Sequence, residues 1–339
     1  MGSKKPQVVI VTPALRAANN GNWTTAWRWQ RHLAATCRAR IVSAWPDVGV
    51  ADERVADERA VDDSVMLALH ARRSAASIAA WSAAHPGRGL AVALTGTDLY
   101  RDIQNDADAQ RSLQLAQVLI TLQERAPAAL PAEVRSKARV IFQSTTSRQP
   151  LEKTQQHLRA LMVGHLRTEK SPETLFAAAR LLAGQDHVLI NPICIDHIGD
   201  GLDPELAAAA RATMLAAPNY RWLGGLPHET VRRRIQRAHV LVHASRMEGG
   251  AHVIMEAVVS DTPVLAARVD GNVGMLGDDY AGYFPWNDAP ALASLLLHCR
   301  EDAGFLPHLL GQCRSRAPLF APAAERAALQ QVVFELLES

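Results

Sequence analysis

The chain lacks the marks of a secreted, membrane-spanning or metal-binding protein. Its four cysteines (Cys37, Cys194, Cys299 and Cys313) form no Cys-x-x-Cys pair and no metal-ligand spacing. A disulfide framework and a zinc ribbon are therefore not expected, and the cysteines read as buried or free thiols in a reducing compartment. No apolar run reaches the roughly 20 residues of a membrane span. The N-terminus, Met1 to Pro6, has no signal-peptide core, so a cytoplasmic protein without a membrane partner is the expectation. An excess of one charge is also missing. The net charge is +2, from 36 Lys and Arg against 34 Asp and Glu, which argues against a nucleic-acid partner. Basic residues cluster only briefly, at Arg72-Arg73 and at Arg232-Arg233-Arg234, and the second cluster reads as the solvated face of a helix. Asp106-Ala107-Asp108 has the form of a metal-binding Asp-x-Asp but lies in a polar, helix-like stretch. No metal and no cofactor are expected.

What is present is a regular alternation of strands and helices over 339 residues, long enough for two domains. Short apolar runs predict strands at 8–11, 65–69, 90–94, 118–122 and 139–142. A polar stretch containing Pro150, residues 143–153, reads as an interdomain linker. Further strands are expected at 160–163, 188–195, 220–223, 240–243 and 263–266. Helices are expected at 172–183, 204–216, 251–259, 290–300, 303–316 and 323–337. The acidic segment 47–63 reads as a surface loop or short helix. Trp23, Trp27 and Trp29 do not share one helical stripe, and Trp27 is expected in the core.

One stretch organises the chain: Ser245-Arg-Met-Glu-Gly-Gly-Ala-His-Val-Ile-Met-Glu256. It runs from a buried strand through Gly249 and Gly250 into a helix. Glycines let backbone N–H groups approach a ligand, and a helix start adds positive potential, so the unit can seat a phosphate or diphosphate. Glu248 and Glu256 flank that seat. Eight residues at about 1.5 Å rise place them roughly 12 Å apart. A catalytic acid–base pair at one glycosidic bond sits about 5–9.5 Å apart, so this spacing suits the two ends of one long ligand. On spacing alone, a cap at Glu248 and a solvated helix residue at Glu256 fit equally well.

Other strand exits carry polar residues where doubly wound sheets meet ligands. Gly21 and Asn22 close the loop after the first strand. His70, Arg72 and Arg73 follow the second and make a plausible oxyanion site, or equally a structural histidine with surface arginines. Asp98 either meets a sugar hydroxyl or caps the next helix. His165, Arg167 and Lys170 follow the first strand of the second half and could equally form an exposed basic turn. Leu226 lies in the loop Gly224-Gly-Leu-Pro227, where simple packing is the other reading.

Glu-x7-Glu after a strand, followed by Pro263-Val-Leu-Ala266 and Gly271-Asn272, resembles the nucleotide-sugar glycosyltransferases of GT-B type. A narrower set resembles the selenosugar synthases of selenoneine biosynthesis. It comprises Ser245–Gly250, Gly271–Gly277, Tyr280–Pro285, Thr95–Arg101 and Gly164–Lys170, and the likeness runs from about Val8 to Glu325. The resemblance implies an α/β GT-B fold, two Rossmann-like domains facing across a cleft, with a C-terminal helix crossing back to the first domain. The implied domains are 1–148 for the acceptor, 149–316 for the UDP-sugar, and the returning helix 317–339.

The implied reaction joins selenophosphate to the anomeric carbon of UDP-N-acetylglucosamine or UDP-glucose, with both small molecules as substrates. Glu248 would orient the sugar, with His70 and Asp98 also in catalytic positions. Glu256 would hold the ribose. Gly21, Asn22, His165, Arg167, Lys170, Leu226, Gly249 and Gly250 would contact the nucleotide sugar. His165 occupies the place where the family commonly has Arg. Arg72, Arg73 and Arg246 would hold selenophosphate, and the loop 270–277 would pass close to the donor sugar. A conventional glycosyltransferase with a hydroxyl acceptor, and a non-catalytic nucleotide-sugar binding protein, are the alternatives.

Overall fold

In the computed structural model of the chain, residues 5–13, 21–47, 63–87, 89–184 and 192–338 are described. The acidic segment expected as a loop or short helix lies almost wholly outside them. The chain forms two compact units, Met1–Gln143 with Pro322–Ser339, and Ser144–Ala321. The divisions thus fall after Gln143 and Ala321, a few residues from the boundaries implied at 148 and 316. Residues expected as a linker belong to the second unit through backbone bonds. Arg148 N donates to Val259 O at 3.1 Å and Leu151 N to Gln236 O at 3.3 Å.

The first unit holds a six-stranded sheet with every pair parallel. Its strands are β1 (Gln7–Val11), β2 (Arg38–Val42), β3 (Asp63–Leu69), β4 (Leu90–Ala93), β5 (Val118–Thr121) and β6 (Ala138–Val140), ordered β2-β1-β3-β4-β5-β6. Its longer helices include α1 (Gly21–Leu33), α2 (Ala75–Ala84) and α3 (Ala107–Leu115). Strands covered on both faces read as unbroken apolar runs, and alternation then divides them. Val9 and Val11 pack on one side with Ile78, Trp81 and Leu113. Val8 and Ile10 pack on the other with Ala26, Trp29 and Leu33. β2 was not expected. It is an edge strand with two arginines in five residues, so it lacks an apolar run, and Arg40 Nε pairs instead with Asp63 Oδ1 at 3.2 Å.

The second unit repeats the plan. Its strands are β7 (Leu158–Val163), β8 (Ile193–Ile198), β9 (Tyr220–Trp222), β10 (Val240–His243), β11 (Val264–Ala267) and β12 (Tyr283–Phe284), ordered β12-β11-β10-β7-β8-β9 and all parallel. Its helices are α4 (Pro172–Ala183), α5 (Pro204–Ala216), α6 (His228–Arg237), α7 (His252–Val258), α8 (Asp270–Leu276), α9 (Ala289–Glu301) and α10 (Phe305–Arg316). Proline at the first helical position fixes the starts of α4 and α5. Asp203 also caps α5, accepting from Glu205 N at 2.9 Å.

The last helix, α11 (Pro322–Glu338), belongs to the first unit and packs there against α1. Leu329, Val332, Val333 and Leu336 complete the layer over Val8 and Ile10. Glu325 is buried between the two helices, accepting from Trp29 Nε1 at 2.8 Å and Arg28 Nε at 2.7 Å. That contact sets the phase of α1. Trp29, not Trp27, is the core residue, and Trp27 is 46% exposed with Arg31 stacked on it.

Three further expectations need correction. β8 lies at 193–198 rather than 188–195, of which 188–191 fall outside the described residues. Residues 270–276 of the glycine-rich stretch 270–277 form helix α8, not a loop. Arg232 is buried on α6 rather than solvated, with Nη1 donating to Thr145 Oγ1 at 2.7 Å and Nη2 to Thr146 O at 2.9 Å.

Candidate functional site

Both sheets reverse strand order beside their first strand, between β7 and β10 in the second unit and between β1 and β3 in the first. In open α/β sheets, ligands bind outside the carboxyl ends of strands at such a reversal.

In the second unit the loops leaving β7 and β10 meet there. Arg246 N donates to Glu169 O at 3.0 Å, which clasps the two loops together. A short 3-10 turn, Thr168–Lys170, ends at Ser171, whose left-handed φ of 45° redirects the chain into α4. This turn aims Lys170 at Glu248, with Nζ 2.6 Å from Oε1 and both side chains largely buried. His243 Nε2 lies 3.3 Å from the same oxygen but is not aligned for a hydrogen bond. Burial pushes the Glu248 carboxyl up, but Lys170 and His243 outweigh it and hold the group well below the usual carboxylate range. Burial lowers the His243 pKa, and Glu248 only partly offsets this. Gly271 makes the arrangement possible, because a Cβ there would lie 2.2 Å from the Glu248 carbonyl oxygen.

Glu256 sits on α7 with a separate set of partners. His228 Nε2 is 2.6 Å from its Oε1, His252 Nδ1 3.5 Å and Arg232 Nη1 3.6 Å. Burial alone would raise this carboxyl, but His228, His252 and Arg232 hold it at about 2. The two glutamates share no partner and form two anion-and-cation clusters, not an acid–base pair. Between them the N–H groups of Gly249 and Gly250 have no acceptor among the described residues. α7 begins at His252, one residue later than expected, and Ala251 N points at Met275 Sδ, 3.1 Å away.

The other predicted cations are less committed. His165 is exposed, and its Nδ1 accepts from Asp200 N at 3.0 Å. Arg167 is exposed and has no side-chain partner among the described residues. Leu226 is half-buried in the turn before α6. Arg246 is exposed and stacks on Trp286 at 6.0 Å.

In the first unit, β3 ends at His70, which takes a left-handed φ of 74°. Such a conformation is uncommon for a side-chain-bearing residue, and here the surroundings impose it. His70 N donates to Ala93 O at 2.8 Å, His70 Nδ1 accepts from Arg73 N at 3.3 Å, and Nε2 lies 3.3 Å from Thr97 Oγ1. Burial lowers the His70 pKa, against the pull of Asp98. Asp98, expected either to meet a sugar hydroxyl or to cap the next helix, is fully buried and accepts from three backbone N–H groups. These are Thr95 N at 2.8 Å, Gly96 N at 2.9 Å and Ala71 N at 3.1 Å. It therefore fixes two strand-exit loops. Arg72 is tied to Asp102, Nε to Oδ2 at 2.8 Å. Arg73 is exposed with no side-chain partner among the described residues, so it is the freer of the two. Gly21 opens α1, its carbonyl accepting from Thr25 Oγ1 at 2.8 Å, and Asn22 beside it is half-buried.

His228, His243 and Asp102 were missed. His228 and Asp102 acquire their places through partners 28 and 30 residues away, and His243 through Glu248, 5 residues on. Asp106 is the N-cap of α3, accepting from Ala109 N at 2.8 Å, which accounts for half of the Asp-x-Asp form. Among the described residues no three His, Cys, Asp or Glu side chains converge to hold a metal ion, and no helix is long and apolar enough to cross a membrane.

Residues 143–301 match the sequence profile of the family described as glycosyl transferases group 1. Among solved structures, the chain is similar to sucrose-phosphate synthase from Thermosynechococcus elongatus, with TM-score 0.73 and 18% identity over 99% of this chain and 100% of that one. It is similar to HepE from Anabaena, in a complex with UDP and glucose, with TM-score 0.72 and 13% identity over 98% of this chain and 100% of that one. The pneumococcal O-GlcNAc transferase GtfA, in a complex with UDP and GlcNAc, has TM-score 0.63 and 17% identity over 81% of this chain and 58% of that one. At these identities the likeness is one of fold, and the chain has the two-unit Rossmann-like GT-B fold.

Proposed function

We propose that the chain is a UDP-sugar-dependent glycosyltransferase whose acceptor is selenophosphate, making it a selenosugar synthase. The observation that carries the UDP-sugar part is the pair of charged clusters at the β7–β10 reversal, Lys170 with Glu248 and His228 with Glu256, inside the segment that matches glycosyl transferases group 1. HepE, whose structure includes a complex with UDP-glucose, supports the same reading through its fold. Lys170 meets the diphosphate, and the free N–H groups of Gly249 and Gly250 face it. Glu248, released from Lys170, takes the sugar hydroxyls, and Glu256 takes the ribose.

The acceptor part rests on the motif resemblance and on chemistry. Selenium of selenophosphate attacks the anomeric carbon, a C–Se bond forms, and the C–O bond to UDP breaks with the electron pair leaving on UDP. Water then cleaves the Se–P bond, giving phosphate and a 1-selenosugar. The selenium lone pair is already available at neutral pH, so no base is needed to strip a hydroxyl proton. Two anionic substrates instead require fixed cations, and a departing diphosphate is stabilised most by charges that are already in place. Arg73, with Arg72, supplies charge for selenophosphate, and His70 shapes the loop that presents both arginines.

The test is UDP release from UDP-N-acetylglucosamine and UDP-glucose with selenophosphate, orthophosphate or alcohols as acceptor. Release that depends on selenophosphate is expected. Release with alcohols alone would make the chain a conventional glycosyltransferase, and UDP binding without release would make it a binding protein.

A further inference from the structure

All the partners of the Glu256 carboxylate meet one oxygen. Oε1 lies 2.6 Å from His228 Nε2, 3.5 Å from His252 Nδ1 and 3.6 Å from Arg232 Nη1, while Oε2 accepts no hydrogen bond among the described residues. The three partners differ in freedom. Arg232 is buried and anchored to Thr145 and Thr146. His252 stands one turn before Glu256 on the same helix, at a longer distance. His228 opens α6 with its side chain 71% exposed, yet it makes the shortest bond of the three.

We propose that His228 is a positioning residue, whose imidazole anchors Glu256 Oε1 so that Oε2 is presented to the vicinal diol of a nucleotide's ribose. The proposal rests on the ribose role given to Glu256 above. A carboxylate pinned at one oxygen has lost its rotational freedom and keeps one acceptor open, which is the arrangement that tells a ribose from a deoxyribose.

The surroundings make this device sensitive to pH. The hydrogen bond that His228 donates to Glu256 raises its pKa, while partial burial and the charges of Arg232 and Arg148 lower it, and the net shift is upward. Glu229, the neighbouring anion, is occupied by Arg148 in two bonds of 2.7 Å and lies 3.6 Å from Arg233. A protonated imidazole gives a charge-assisted bond, stronger than that of the neutral ring. The ordering of Glu256 is therefore complete below the ordinary imidazole value and weakens as pH rises through the raised one.

The experiment is calorimetric binding of UDP and 2′-deoxy-UDP to the wild type, His228→Gln and Glu256→Gln, from about pH 5.5 to 9. The quantity read is the ratio of the two dissociation constants, in which the phosphate titration common to both ligands cancels. The wild type should favour UDP, with the ratio shrinking about five-fold as pH rises. His228→Gln should show a small ratio that no longer changes with pH, and Glu256→Gln should show none. If Glu256→Gln keeps the wild-type ratio, the ribose reading itself fails and takes the proposal with it. If Glu256→Gln loses the ratio while His228→Gln keeps both its size and its pH profile, the positioning role alone is overturned. Equal weakening of both ligands by His228→Gln would also overturn it, by showing general damage to the site.

Discussion

The Lys170–Glu248 pair makes an unusual demand on a nucleotide ligand, and Glu248→Gln exposes it. Lys170, a predicted diphosphate cation on the loop leaving β7, is already paired with a carboxylate 2.6 Å away. At an effective dielectric of about 20, two unit charges at that distance attract by roughly 6 kcal/mol. Desolvation of the two partly buried groups offsets much of this, so the net coupling is far smaller. A net coupling of even ~1.4 kcal/mol means that UDP binds about ten-fold more tightly once Glu248 is uncharged and Lys170 is free. The same substitution removes the charged acceptor for the donor sugar. A hydrogen bond to a charged group contributes roughly 1.5–3 kcal/mol, so turnover should fall by about 10- to 100-fold. The expected signature is thus opposite signs, with UDP affinity up and UDP-sugar turnover down. Titration calorimetry with UDP and steady-state UDP release measure the two, and the affinity gain should shrink at high salt. UDP binding that is unchanged or weaker in Glu248→Gln, with an unaltered unfolding midpoint, would refute the reasoning.

Other substitutions probe separate parts of the account. Gly271→Ala places a Cβ 2.2 Å from Glu248 O, so the Glu248 loop or α8 must shift. Turnover should fall by at least about ten-fold, as expected when a catalytic group moves by about 1 Å, and the melting temperature should drop. Arg73→Ala should raise the KM for selenophosphate about ten-fold, the loss of roughly 1.4 kcal/mol, and leave thermal stability unchanged because the side chain is exposed. Arg72→Ala should raise the same KM and also destabilise the fold, since Asp102 loses a partner at 2.8 Å. Glu325→Ala strands Arg28 and Trp29 inside the α1–α11 contact and should cost about 3–5 kcal/mol in urea unfolding.

Much of the fold was legible because strands covered on both faces carry unbroken apolar runs. Val240 to His243 and Val8 to Val11 announce themselves in this way. The starts of α4 and α5 were legible through a proline at the first helical position. The edge strand β2 was not, because arginines at its first and third positions break up the apolar run. The tryptophan facing the core could not be read locally, since the phase of α1 is set by Glu325, almost 300 residues away. Gly271 marked a special backbone position, but its glycine serves close packing of a helix against Glu248, not a loop. Glu248, Glu256 and Lys170 stood out by pattern. His228 and Arg232, which help set the charge of Glu256, did not, because packing of α6 against α7 rather than sequence proximity brings them there.

The most direct test of the central claim is mass spectrometry of the product made by purified protein from UDP-N-acetylglucosamine or UDP-glucose and selenophosphate. The account predicts a sugar carrying the selenium isotope pattern, formed together with UDP and only when selenophosphate is present. UDP release with no selenium in any sugar product would contradict it.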